Sequence, residues 1–179
     1  MTMDRCITGG LESDIPKVRQ IKMSSPDNST HEFYMRECLN LARSASDSGE
    51  VPVGAIVVNG DRIISKASNA QIGECDPTAH AEIIALRGAA QATGNYRLPG
   101  CTLYSTVEPC LMCAGALLHA RVVRVVYGAP EPRAGAVGGE VDYFNRMKHV
   151  HKLEVVGGIL EAECRSIMQD FFKARRAGR

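Results

Sequence analysis

The chain has 179 residues, 45% of them hydrophobic and 23% charged, with a formal net charge of +1. That length suits one globular domain with a proper core, and the near-neutral balance excludes a globally basic nucleic-acid protein, so any such affinity must be local. No stretch approaches the roughly 20 apolar residues of a membrane span, and seven cysteines without secretory features point to the cytoplasm rather than to a disulfide framework.

Residues 1–30 carry Ser, Pro, Asp and Asn with little periodic apolar content, and their charges cancel. They read as a disordered N-terminal extension: a signal peptide's apolar core is missing, and the acids argue against an organelle transit peptide. The domain proper is expected over 31–179. Ser29 or Thr30 can cap a helix from His31 to Ser48 that ends at Gly49. Tyr34, Cys38, Leu41, Ala42 and Ala45 then share its buried face, and His31 faces solvent. Val53–Val58 reads as a buried strand, Asn59-Gly60 as a tight turn and Arg62–Ser68 as the returning strand. Asn69, at that strand's end, is either a turn former or an amide suited to a base or ribose edge.

The next stretch, DPTAHAEIIALRG, opens with Asp76 as a helix cap and Pro77 at the first helical position. The helix is expected to reach Thr93, stop at Gly94 and bury Ile83, Ile84 and Leu86. Cys75 precedes the cap and faces away. Cys101–Val107 alternates as a strand and delivers Glu108-Pro109-Cys110-Leu111-Met112-Cys113. Cys110 and Cys113 are one helical turn apart, so both sulfurs lie on one side of a helix that Pro109 starts, and Glu108 stabilises that start or, as the lesser alternative, assists catalysis. His119 points away from this end.

His80, Cys110 and Cys113 together form a zinc set. Three protein ligands leave a fourth position for water, and the carboxylate of Glu82 lies two residues from the imidazole, which reads as a catalytic centre. The alternatives are a closed structural zinc site, which lacks an obvious fourth ligand, and a Cys110–Cys113 disulfide. The residues match the H-x-E…P-C-x-x-C pattern of zinc-dependent nucleobase deaminases.

Val122–Tyr127 reads as a fully buried strand, followed by the long loop GAPEPRAGAVGG, in which Glu131 and Arg133 are the charges. Val141–Val150 has no clear reading beyond a short helix, with His149 and His151 at the surface. Lys152–Val156 is a last strand, and Gly157-Gly158 leads to a helix over Leu160–Arg176 that buries Cys164, Ile167, Met168 and Phe171. Its end, FFKARRAGR, places basic groups beside Phe172, a pairing that suits single-stranded RNA as well as a helix C-terminus.

From about His31 to Arg176 the sequence resembles the bacterial-type tRNA-specific adenosine deaminases of the cytidine-deaminase-like superfamily. The matching pieces are EVPVGAIVV, Asn69, DPTAHAEIIALR, NYRL, TLYSTVEPCLMCAGAL, VVYGA, GIL-x-x-EC and FFKARR. The resemblance implies a three-layer α/β/α fold with a mixed five-stranded sheet, a homodimer, and deamination of adenosine to inosine at the wobble position of a tRNA anticodon, with an arginine tRNA as the expected partner. It implies one Zn2+ per subunit on His80, Cys110 and Cys113, and Glu82 as proton shuttle. Asn69, Glu131, Phe172, Lys173 and Arg176 correspond to substrate or RNA contacts. Pro130 and Pro132 around Glu131 depart from the usual pattern and stiffen that loop. A deaminase of a free base, nucleoside or nucleotide would share the zinc motif without needing the basic aromatic C-terminus, and a catalytically silent RNA-binding partner would not need Glu82.

Overall fold

The computed structural model describes residues 27–138, 144 and 152–178. The expectations for the N-terminal extension as far as residue 26, for a short helix over 141–150 and for His149 and His151 fall outside these residues, Phe144 apart.

Helix α1 (Asn28–Asp47) is capped by Asp27, upstream of the expected Ser29 or Thr30. The Asp27 carboxylate accepts from the Thr30 backbone N–H at 2.9 Å and from both neighbouring hydroxyls, so Ser29 and Thr30 serve the cap instead of being it. Tyr34, Cys38, Ala42 and Ala45 are buried as expected. His31 is buried too, not solvent-facing: its Nδ1 lies 3.0 Å from the Tyr104 hydroxyl, which satisfies both polar groups inside the fold.

Strands β1 (Gly54–Asn59) and β2 (Arg62–Ser68) form an antiparallel hairpin. Asn59 pairs with Arg62, so Gly60 and Asp61 make the turn, one residue beyond the expected pair; Gly60 takes φ +64°. With β3 (Cys101–Val107), β4 (Arg124–Ala129) and β5 (Glu154–Val156) they form one sheet in the order β2-β1-β3-β4-β5. β1 is antiparallel to β2 and β3, whereas β3, β4 and β5 run parallel. The fourth strand starts at Arg124, two residues later than its apolar run, with Val122 buried and Val123 exposed ahead of it.

Helices α2 (Ala81–Thr93) and α3 (Leu111–Ala120) cover one face of the sheet, and α1 with α4 (Glu161–Ala177) cover the other. Strand alternation divides the core accordingly. Ala55, Val57, Leu103 and Val125 pack towards α2 and α3; Ile56, Val58, Tyr104 and Val126 pack towards α1 and α4. The buried stripe of α2 is Ala81, Ala85, Leu86 and Ala89, not the expected Ile83 and Ile84, which are half-buried. On the opposite face a Cβ at Gly54 would run into the Cys38 carbonyl, so α1 rests directly on the backbone of β1.

Candidate active site

The chain enters α2 differently from the way its sequence advertises. Asp76 does not cap the helix; its Oδ1 accepts from the Thr78 N–H and hydroxyl, both at 2.7 Å, and closes a separate turn. The helix starts at Ala81 with His80 as N-cap, in extended backbone geometry and without a side-chain cap bond. The amide oxygen of Asn69 substitutes for that bond by accepting from the Ala81 N–H at 2.8 Å. Asn69 itself is buried. The imidazole of His80 is therefore free to turn towards α3.

Helix α3 is built in the same way. Cys110 is its N-cap and again makes no cap bond, while Pro109 lies just outside the helix and Cys113 three residues into it. Two helix N-termini thus bring their positive ends together, which favours thiolates at the meeting point. The Cys110 and Cys113 sulfurs are 3.7 Å apart, and the Nδ1 of His80 lies 3.8 Å from the first and 3.6 Å from the second. Zn–S bonds near 2.3 Å and Zn–N bonds near 2.05 Å in a tetrahedron give edges of about 3.8 Å between sulfurs and about 3.6 Å between sulfur and nitrogen. The triangle has the dimensions of a three-ligand metal face, and it is the group of metal-ligating side chains that the described residues bring together.

The carboxyl of Glu82 lies one residue into the same helix end. It is buried, and its Oε2 is the buried side-chain polar atom without a hydrogen-bond partner among the described residues. An orphaned carboxyl oxygen beside a ligand triangle fits a centre that holds an ion and water. Burial pushes the Glu82 carboxyl above the usual carboxylate range. The His80 imidazole is drawn up, first by its bond to Cys110. Cys110 is lowered to about 4, chiefly by the S–H of Cys113 and then by His80, whereas Cys113 is pushed up by Cys110 and by burial. Thiol ligands bind a cation as thiolates, so metal binding at this triangle would release protons.

These groups open into a cavity of about 170 Å3 whose walls include Asn69, Gln71, Val107, Glu131 and Met168. That is smaller than the roughly 300–1,000 Å3 of drug-sized pockets, so it admits one ring system and leaves the rest of a nucleotide outside. A second cavity of about 400 Å3 adjoins it, sharing Val107, Glu131 and Met168 and adding Arg133, Arg165, Phe172 and Arg176. Among the expected RNA contacts, Glu131 stands between the two cavities, Phe172 and Arg176 line the second, and Lys173 is exposed on the same helix without lining either. Cys75 is exposed, with its sulfur 3.7 Å from the Ile72 carbonyl, and His119 is exposed as well.

The sequence reading missed three features. Arg165 shares a face of α4 with Met168, Phe172 and Arg176 at steps of three, four and four residues, a period that was available in the sequence. Glu108 also ties down a loop. It is buried, and its two oxygens accept from the backbone N–H groups of Glu131, Val137 and Gly138 at 3.0–3.2 Å. Glu50 does the same on the other wall, accepting from Ile72 at 3.1 Å and Gly73 at 2.7 Å.

Comparison with known proteins adds the chemistry of relatives. A family model for MafB19-like deaminases matches residues 29–176. The tRNA-specific adenosine deaminase of Haemophilus influenzae is 49% identical over 146 residues, which are 81% of this chain and 84% of that protein. A solved tRNA:A34 deaminase, studied for A-to-I editing at the wobble position of transfer RNA, is 43% identical. It superposes with a TM-score of 0.73 over 75% of this chain and 98% of its own. A guanine deaminase from Bacillus subtilis is 39% identical, with a TM-score of 0.54 over 56% of this chain and 64% of its own.

Proposed function

We propose a function from one premise: the chain belongs to the bacterial-type tRNA-specific adenosine deaminases, within the MafB19-like deaminase family. The protein hydrolyses adenosine to inosine at the wobble position, position 34, of a tRNA anticodon. The observation that carries this reading is the His80–Cys110–Cys113 triangle with the partnerless Glu82 oxygen beside it, in the wall of a cavity sized for one base.

The residues fit zinc, one ion per subunit, held by His80 Nδ1 and the two sulfurs as thiolates. Zinc bound there supplies Lewis acidity that lets water act as a nucleophile near neutral pH. Glu82 does the proton work. Its buried carboxylate takes a proton from the attacking water and delivers it to N1 of the purine as oxygen bonds to C6. The second water proton passes through the same carboxylate to the amino group, the C6–N6 bond breaks, and ammonia leaves. Adenosine and water become inosine and ammonia. The raised pKa of Glu82 suits a group that must accept and release a proton in one cycle.

Asn69 holds the head of α2 through its oxygen and offers its NH2 to the base, while Glu131 faces the sugar and backbone at the seam of the cavities. Phe172 and Arg176, with Lys173 nearby, hold the flanking strand by stacking and charge. The target base must be unpaired or flipped to enter, and an anticodon-loop adenosine already is unpaired. An arginine tRNA is the proposed substrate. A homodimer fits the exposed Leu111 and Met112 at the head of α3. Cytoplasmic residence fits the six free cysteines among the described residues; no described helix is long and apolar enough to cross a membrane.

The test is inosine formation on a synthetic arginine-tRNA anticodon stem-loop with A at the wobble position, run beside free adenosine, cytosine and guanine. Inosine confined to the wobble position is expected. Turnover of a free base alone would overturn the RNA reading and leave the metal chemistry standing. Removal of residues 172–179 is expected to abolish RNA turnover.

A further inference from the structure

The two loops that wall the cavity are fixed by the same device. On one side Gln71 lines the cavity, and the next two backbone N–H groups, at Ile72 and Gly73, donate to the buried carboxylate of Glu50. On the other side Glu131 lines the cavity, and its own N–H donates to the buried carboxylate of Glu108, which also takes the N–H groups of Val137 and Gly138. One buried carboxylate thus closes the loop from 131 to 138 upon itself.

We infer that Glu50 and Glu108 are positioning residues for the deamination: two buried tethers that set the spacing between the opposed walls bearing Gln71 and Glu131, and so fix how the target nucleotide is held. The inference rests on the function proposed above.

The chemistry favours a tether over a structural accident. A buried carboxylate is costly unless hydrogen-bonded, and backbone N–H groups from an irregular loop are orphans unless a side chain accepts them. Each needs the other, so the loop has one arrangement. Charge-assisted bonds of this kind are the strong ones. The fit is close as well. A Cβ on Gly135 would collide with the Glu108 carboxylate, and one on Gly73 would lie 3.4 Å from the Glu50 oxygen. Neither carboxylate is counted among the ligand triangle, so both leave the ion's face intact.

The experiment compares Glu50→Gln, Glu108→Gln and Gly135→Ala with the parent protein, all metal-loaded. Glutamine keeps the shape and one acceptor oxygen but turns an NH2 against a backbone donor. Gly135→Ala, whose Cβ would meet both the Glu108 carboxylate and the Glu131 carbonyl, is read by amide exchange alone, because Gly135 also bridges Cys110. Each glutamine variant is expected to raise KM for the wobble-A stem-loop by about tenfold while kcat per bound metal stays within about twofold, because substrate and transition state lose the same wall. A merely structural role would lower kcat and the folded fraction together at unchanged KM. Amide exchange gives a reading that needs no turnover: Ile72 and Gly73 should lose protection in the first variant, and Val137 and Gly138 in the other two. Unchanged KM, or unchanged exchange at those amides in correctly folded variants, would overturn the inference. A parent protein inactive on the stem-loop would sink the proposed substrate instead, and the exchange result would still decide whether the tethers exist.

Discussion

The amide oxygen of Asn69 lies 2.8 Å from the backbone nitrogen of Ala81, so a residue at the end of β2 caps the helix whose own N-cap, His80, is a metal-ligand candidate. The cap and the ligand are separate residues, and His80 is free for the metal because Asn69 does the capping. Asn69→Ala would leave the buried Ala81 N–H without a partner, at a cost of about 1–3 kcal/mol, and loosen the imidazole with it. We expect a lower melting temperature and weaker metal retention on dialysis. Asn69→Asp keeps the acceptor and removes the NH2 donor, so it should retain metal yet lose turnover. Equal metal loss in both would contradict this division of roles.

Glu82→Gln tests the proton carrier. The buried acid has no partner for Oε2, so a neutral amide of the same shape should be tolerated by the fold and by the ligand triangle. Turnover should fall by about 10²–10⁴-fold, the contribution of a positioned acid–base group, at unchanged metal content. Metal loss in step with activity would make Glu82 a ligand instead.

Removing the ion should be visible without substrate. Binding to the folded state at a thousandfold excess over Kd adds about 4 kcal/mol, so a chelator should lower the melting temperature by about 10 °C. It should also change thiol chemistry. Cys75 is exposed, unlike the other described cysteines, and should react with an alkylating reagent throughout. Cys110, half-buried and with a lowered pKa, should join it only after chelation. Peptide mapping of the label checks both.

His31 predicts a pH effect away from the site. Burial, and secondarily the charge of Arg124, hold its pKa below the ordinary 6.5, so the folded state binds fewer protons than the unfolded one just below that pH. Stability should therefore be complete above pH 6.5 and decline as pH falls below it, until the folded histidine also protonates. His31→Gln should flatten this part of the melting-temperature profile. An unchanged slope in the variant would assign the decline to other groups.

The sequence exposed the chemistry more fully than the local geometry. His80, Cys110 and Cys113 could be read directly because their side chains have few roles that suit such spacing, and the central strands could be read because a sheet covered on both faces needs short continuous apolar runs. The head of α2 misled because Asp76-Pro77 carries helix-start chemistry, and only the folded chain brings Asn69, twelve residues before Ala81, to the true start. Glu108 was read incompletely for a related reason: next to a helix start it looks like a dipole partner, and its bonds to the 131–138 loop form only in the folded chain. His31 needed Tyr104, 73 residues away, to become a core residue. These three involve hydrogen bonds between segments whose meeting no local pattern encodes.

The loop beyond β4 is also stitched to the metal-bearing turn itself: the Ala136 N–H donates to the Pro109 carbonyl at 3.0 Å, and Gly135 bridges Cys110. A ligand that settles this loop therefore settles the backbone of a thiolate, and an ion that fixes the thiolate fixes the loop. Thermodynamic reciprocity then requires that bound RNA raise the affinity for a metal ion by the same factor by which the ion raises the affinity for RNA. The enzyme at work on its substrate would be harder to strip of metal than the enzyme at rest.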